Sequence, residues 1–491
     1  MMNDKIRLNL AAYRDSVQAC WIGKNIGGTF GTPYEGQRRT WDVKDFASAP
    51  GRPLPNDDLD LQLVWLHAVE SRGINAVSAA MLGEYWISLI PPNWNEYGIG
   101  RGNMRRGIPA PMSGDYENTW QNSNGAWIRT EIWACLSPAA PDVASKYAME
   151  DGKVDHGAGE GTTAAAFVAA LQSSAFVVKD LRTCIEIALS SIPSESRMAD
   201  SVRFILECFD AGMAPLEARE AIFCRNADIG DGWFEAPTNV SYALIGLLWG
   251  GGDFKKSIIL ACNCGDDTDC TCATVGATLG ILGGMRGIPD DWRAYIGDEI
   301  ITISVNKADV RGGGRVPKSC TELSERVAIQ APHALFLSHA PVELVEGESF
   351  IPDDLLPRLY KACEDLREST RLVPYSAIFE SHCLTAQLVL DRAPDVTPGS
   401  TLEVTVYVRP HRSLGDDHLN LTCRWWLPDG FTASGKRAIP LANHSSHYPG
   451  MATLRFTLTA GETLDPSSRA VLEITADGRP TPLYVTIPLL G

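Results

Sequence analysis

Apolar residues recur at helical spacing through most of the first 330 positions, and at every second position from about residue 375 onward. Residues 5 to about 330 therefore read mainly as helices joined by Gly/Pro-rich loops. The segments GEGTTAAAFVAALQSSAFVV and CATVGATLGILGGM are apolar nearly all round and rich in Ala and Gly, which marks buried helices packed closely on other helices. Asp180 precedes LRTCIEIALSSIP, where Leu181, Cys184, Ile185 and Leu189 keep helical spacing until Pro193. Ser201–Ala211 and Leu216–Cys224 give two further short helices. After about residue 340, PDDLLPRLYKACEDLREST still reads as one helix. Then TLEVTVYVRP, LNLTCRWWLP, ATLRFTLTAG, AVLEITADG and LYVTIPLL alternate with period two, separated by turn sequences such as PGS, PDG and DGRP. The expected architecture is an all-α domain over residues 1–340, a helical linker over 341–370, and an antiparallel, Ig-like β-sandwich over 371–491. In Trp425-Trp426, adjacent strand residues point to opposite faces, so one tryptophan is expected in the core and the other on the surface.

Composition narrows the function classes. The 491 residues carry 60 acidic and 43 basic side chains, a formal net charge of −17. That balance excludes a binder of the nucleic-acid backbone, which needs a basic face. It suits a protein that holds hard cations with carboxylates. The first residues show no apolar stretch of the signal-peptide kind, and no run approaches the ~18 apolar residues of a membrane span. A cytoplasmic protein without membrane or nucleic-acid partners is the expectation. The thirteen cysteines are odd in number and scattered, which fits reduced thiols. Cys262, Cys264, Cys270 and Cys272 are spaced C-x-C-x5-C-x-C, not as the usual C-x2-C zinc pairs.

Three segments could carry chemistry. Gly27-Gly28-Thr29-Phe30-Gly31-Thr32-Pro33-Tyr34-Glu35 is glycine-dense and ends in a carboxylate; it reads either as a ligand-approaching turn or as a turn with a solvated glutamate. Asn56-Asp57-Asp58-Leu59-Asp60 lies at a helix start. One of its oxygens can be an N-cap, but adjacent carboxylates repel unless a cation or protons neutralise them. Gly265-Asp266-Asp267-Thr268-Asp269-Cys270 leads into an apolar helix. Residues i and i+2 of a helix lie roughly 200° apart, so Asp267 and Asp269 converge only if they sit in a loop or first turn. All-oxygen ligation points to Mg2+, Mn2+ or Ca2+.

Taken together, these segments resemble the motifs of the ADP-ribosylglycohydrolase family, which includes the dinitrogenase reductase-activating glycohydrolases. The resemblance covers about residues 10–325, in the family's order. The segment ending in Glu35 resembles the first motif, and Asn56-Asp57-Asp58 the Thr-Asp-Asp metal motif. Gly265–Cys270 resembles the Gly-x-Asp-Thr-Asp-Thr motif, with Ile288-Pro289 and Trp292 following. The resemblance implies an all-α fold with two Mg2+ ions, Mn2+ or Ca2+ being alternatives, at the base of a cleft. Asn56, Asp57, Asp58, Asp267 and Asp269 fall on the ligand positions, and Glu35 on an acidic position linked to acid–base work. His156 resembles the histidine near the ribose pocket, and Asn124-Gly125, ahead of Arg129, the substrate loop. Three residues depart from the pattern: Asn56 stands where Thr or Ser is usual, Leu59 replaces a common Thr, and Cys270 a Thr ligand. A thiol is a poor Mg2+ ligand, so one ion is expected to be weaker, differently coordinated or absent.

The implied reaction is hydrolysis of an N- or O-glycosidic bond in an ADP-ribosyl, ribosyl or related glycosyl substrate, with Asp267 or Glu35 taking a proton from water. The rival reading is a metal-stabilised binding protein that has lost turnover. His156 can equally be a satisfied histidine at a helix start. Arg129 can meet a substrate phosphate or a structural carboxylate such as Glu131. The C-terminal sandwich reads first as a packing domain or a homo-oligomer contact, and otherwise as a carbohydrate- or partner-binding module.

Overall fold

The computed structural model describes residues 5–230, 233–306, 316–410, 419–441 and 450–491. The chain divides into two compact units. One comprises Met1–Ile99 with Asn118–Arg371, the other Gly100–Glu117 with Leu372–Gly491.

Among its described residues the first unit is helical apart from one small parallel pair, β1 (Ile6–Asn9) beside β2 (Val342–Val345). The stretch expected as a linker carries β2 and the helix Leu355–Ser369, and it belongs to this unit. At its centre two apolar helices, Leu10–Gly31 and Thr268–Gly283, run antiparallel with their backbones almost touching. A Cβ built on Gly27 would stand 2.1 Å from the Cys272 carbonyl oxygen, and one on Gly31 would stand 2.2 Å from that of Thr268. Only glycine permits that approach. Its consequence is positional: the C-terminal end of the first helix, just ahead of Glu35, is locked against the N-terminal end of the second, where Asp267 and Asp269 lie. The helix Asp57–Arg72 starts at the same end, with Asn56 as its N-cap. The helix Glu160–Ser174 is buried at nearly every position, as its Ala-rich sequence predicts. Among the described residues, no helix is long and apolar enough to cross a membrane.

The second unit is a sandwich of antiparallel sheets. β3 (Ser376–Glu380), β4 (Leu384–Leu390), β5 (Thr401–Pro410), β9 (Ala452–Thr459) and β7 (Thr432–Gly435) form one sheet in the order β3-β4-β5-β9-β7. The other runs β11-β10-β6-β8, from Leu483–Leu489, Ser468–Ala476, Leu419–Trp426 and Ala438–Leu441. Alternate residues such as Val404, Val406, Leu454, Leu472 and Val485 fill the core between them. Ile108, Met112 and Tyr116, from the early segment, join that core. Trp425 packs edge-on against Phe456, while Trp426 is exposed, as the alternation predicts.

Candidate functional site

The turn before the helix Thr268–Gly283 is built for close approach. Gly265 and Asp266 both take positive φ, and a Cβ on Gly265 would stand 1.9 Å from the Arg39 carbonyl oxygen. Asp266 is latched through its backbone to residues 36 and 37: its carbonyl accepts from the Gly36 N–H at 2.8 Å, and its N–H donates to the Gln37 carbonyl at 2.9 Å. This pins the turn beside Glu35. Asp266 itself is turned aside, its carboxylate 3.4 Å from Arg38 Nε and 3.3 Å from Asn239 Nδ2. Asp267 precedes the helix and Asp269 lies in its first turn, which is the one arrangement that lets an i, i+2 pair converge.

Glu35, Asp267 and Asp269 each bring a carboxylate oxygen within 4.8 Å of the other two. A second trio, Asp58, Asp269 and Cys270, meets the same criterion and shares Asp269. Asp58, Asp267 and Asp269 are buried, whereas Glu35 is solvent-accessible as a residue. Asn124 donates from Nδ2 to Asp267 Oδ2 at 2.6 Å, and the Trp127 indole holds the other end of that amide at 2.8 Å. Asn239 Oδ1 accepts from the Asp267 N–H at 3.2 Å. Asp267 Oδ1 and Asp269 Oδ1 are buried with no hydrogen-bond partner. A buried acceptor without a donor costs ~1–3 kcal/mol, more when charged, so these atoms call for a cation or a proton.

The protonation behaviour agrees. Burial, then the neighbouring charges of Glu35 and Asp57, pushes Asp269 up to about 7. Loss of water around the Glu35 carboxyl, then Asp57 and Asp58, pushes it up to about 7 as well. Asp267 and Asp58 are also raised, by burial first, as is the half-buried Asp57. The donor set is hard oxygen, of the kind that Mg2+, Mn2+ or Ca2+ takes, and the donor-free buried oxygens fit such an ion.

The sequence did not point to Lys24. It lies in the middle of the first helix, its side chain fully buried. Its ammonium donates to the Ile128 carbonyl at 2.7 Å and to Glu131 Oε1 at 3.1 Å, and stands 3.7 Å from Asp58 Oδ2. Gln62 braces the same group, donating to the Asp58 carbonyl at 2.8 Å and to Glu131 Oε2 at 2.9 Å. The available signal was Lys24 as the one charged residue between Ala19 and Gly31, the more apolar half of the helix.

Several expected roles take a different form. Asn56 uses its amide oxygen as the N-cap on the Asp58 N–H at 2.7 Å, and its Nδ2 faces Asp269 Oδ2 at 3.3 Å. In this geometry its amide oxygen is engaged as the helix cap. Gly28 makes room for that amide; a Cβ there would stand 2.6 Å from Asn56 Nδ2. Asp60 is drawn away to receive the backbone N–H groups of Ile303 and Ser304. Arg129 is fully buried, with Nε on Asp151 at 2.8 Å, Nη2 on Asp155 at 2.7 Å and Nη1 on the Gly125 carbonyl at 2.5 Å. It has neither exposure nor a free donor face for a substrate phosphate, and Glu131 pairs with Lys24 instead. His156 is equally buried, between Asp155 at 2.9 Å and Ser123 at 3.3 Å. Gly125 is required for packing, since a Cβ would stand 2.2 Å from Glu96 Oε1. All three residues are buried.

The profile of the ADP-ribosylglycohydrolase family matches residues 9–317. No curated protein matches the chain. Among solved structures, one described as an ADP-ribosylglycohydrolase-related protein complex is 20% identical, the match covering 67% of this chain and 99% of that one, with a TM-score of 0.41. A FixG-related protein from Vibrio parahaemolyticus is 12% identical over 22% of this chain and 94% of its own, with a TM-score of 0.18.

Proposed function

Because residues 9–317 place this chain in the ADP-ribosylglycohydrolase family, we propose that it is a metal-dependent glycoside hydrolase acting on an N- or O-glycosidic bond of an ADP-ribosyl, ribosyl or related glycosyl substrate. The observation that carries this reading is the convergence of Glu35, Asp267 and Asp269 within 4.8 Å, with buried oxygens that no donor satisfies. Asp267 and Asp269 would hold a divalent ion, with Glu35 at the solvent side. A bound ion of this kind supplies a grip on vicinal sugar hydroxyls and orientation of a water.

The chain's own groups divide the remaining work. Glu35 is the acid–base candidate, because it alone of the trio reaches solvent and its carboxyl exchanges a proton near neutrality. As a carboxylate it takes a proton from the attacking water; as an acid it gives one to the departing group. Asp267 is the weaker candidate for that role, since Asn124 holds it in place and solvent does not reach it. The surrounding carboxylates stabilise the positive charge of an oxocarbenium-like transition state.

The test is turnover of a panel comprising ADP-ribosylated protein, simple ribosides and aryl glycosides, before and after chelation. Glycosidic cleavage abolished by chelator and restored by Mg2+ or Mn2+ is the expected result. Ion binding with no cleavage of any panel member would sink the hydrolase reading.

A further inference from the structure

The two trios around Asp269 differ in what already faces their oxygens. On the Glu35 side, Asp267 Oδ1 and Asp269 Oδ1 meet no donor. On the Asp58 side, Asp58 Oδ2 is likewise buried without a hydrogen-bond partner, but a cation and a thiol already stand beside that carboxylate. Cys270 donates its thiol to Asp58 Oδ1 at 3.3 Å, and the Asn56 amide faces Asp269 Oδ2 at 3.3 Å. The Lys24 ammonium stands 3.7 Å from Asp58 Oδ2, too long for a hydrogen bond but at ion-pair distance, with both side chains out of solvent.

We propose that this protein binds a single divalent ion, on the Glu35–Asp267–Asp269 side, and that the Lys24 ammonium occupies the electrostatic place of a second ion beside Asp58. The inference rests on the hydrolase reading above and refines its metal site. Three physical points support it. A fixed positive charge in a dry interior repels a neighbouring dication far more than it would in water. Lys24 cannot swing away, because the Ile128 carbonyl and Glu131 hold it from behind. The third member of the trio is a thiol, which a hard cation accepts poorly, and it already donates to Asp58 Oδ1 at 3.3 Å.

Manganese titration of the full-length chain, read by calorimetry and by electron paramagnetic resonance, tests the stoichiometry independently of turnover. One Mn2+ per chain with the spectrum of an isolated ion is expected. Two ions of comparable affinity with a spin-coupled spectrum would overturn the single-ion inference and leave the hydrolase reading standing; no binding at all would overturn both. The double substitution Lys24→Met with Cys270→Thr should admit a second ion, and one ion still bound by the folded double variant would refute the role given to Lys24. Cys270→Thr alone keeps the ammonium and should still bind one. If the double variant fails to fold, gain of a second ion by this single variant would equally refute that role.

Discussion

Among the described residues of the helical unit, three trios of potential ligand side chains lie within 4.8 Å of one another; two share Asp269, and the third stands apart from them. The more open of the Asp269 pair is Glu35, Asp267 and Asp269. The trio that stands apart is Glu96, Asp155 and His156, which is at least as deeply buried. That cluster is complete in itself. Arg129 neutralises Asp151 and Asp155, His156 bridges Asp155 to Ser123, and Ser123 donates to Glu96 Oε2 at 2.8 Å. Burial alone would raise Asp155, but Arg129 and His156 beside it hold it below the usual carboxylate range. Burial raises Asp269 unopposed by any nearby guanidinium, and it rises to about 7. Burial and acidity are thus common to a structural network and a candidate metal centre. What separates them is the balance of donors and counter-charge around each oxygen.

The comparison breaks most visibly through stability. Asp155→Ala strips Arg129 and His156 of a shared partner and leaves buried charge uncompensated. The expected loss is roughly 3–5 kcal/mol of unfolding free energy, measured by denaturant melts. A loss within experimental error would mean that the network is no more satisfied than the acidic trio.

The opposite signature is expected in the trio. Asp269→Asn removes charge that the apo fold tolerates poorly, so chelated protein should melt no lower than wild type. Turnover of whichever panel substrate is cleaved should fall by more than about a hundredfold, because even outer partners of metal ligands cost roughly 10–100-fold. A variant that keeps full turnover, or that melts as low as Asp155→Ala, would erase the distinction between the two clusters.

This contrast also marks where the sequence could be read and where it could not. The two acidic runs stood out because crowded carboxylates at helix entries need an explanation beyond capping, and the period-two alternation after residue 375 announced the sandwich. Partnerships between distant residues were not legible. Arg129 finds Asp151 and Asp155 across 22 and 26 residues of chain, through a turn that no local pattern encodes, so the sequence left a substrate phosphate and a structural carboxylate both open and did not point to these two partners. Lys24 and Glu131 meet across 107 residues, and a single lysine in the more apolar half of a helix carries no hint of its acceptor. Nor does the continuous helix Asn95–Arg105 betray that the chain passes from one compact unit to the other within it. Asn56 was ambiguous for a different reason: cap and ligand both use the same oxygen, and only the backbone geometry shows the Asp58 N–H already there.

A smaller effect should follow from loosening the trio without discharging it. Asn124→Ala deletes the 2.6 Å bond to Asp267 Oδ2 and leaves the carboxylate free to rotate. Metal affinity is expected to weaken by about tenfold, at the low end of what the outer partners of ligands contribute. Calorimetric titration with Mn2+ measures this directly, and unchanged affinity would place Asn124 outside the support of the site.

The mildest test leaves the sequence intact and varies pH. Glu35 and Asp269 titrate in the folded chain near 7, above their ordinary values of 4.5 and 3.8. Between those limits the folded state holds more protons than the unfolded one, so unfolding free energy decreases as pH rises through the window. For a fully buried acid such as Asp269 the change between pH 6 and pH 8 is on the order of 1 kcal/mol. Chelated protein should therefore melt higher at pH 6 than at pH 8. Saturating Mg2+ should flatten or reverse that slope, because the ion takes the place of the protons and binds the ionised acids more tightly as pH rises. Asp155 supplies the internal contrast: it is depressed, so its contribution is already complete above its ordinary pKa and does not vary between pH 6 and pH 8, whereas burial raises its neighbours Asp151, to about 6, and Glu96. A chelated protein whose melting point rises from pH 6 to pH 8 would show that the acids around Asp269 are neutralised by something other than a proton or a divalent ion.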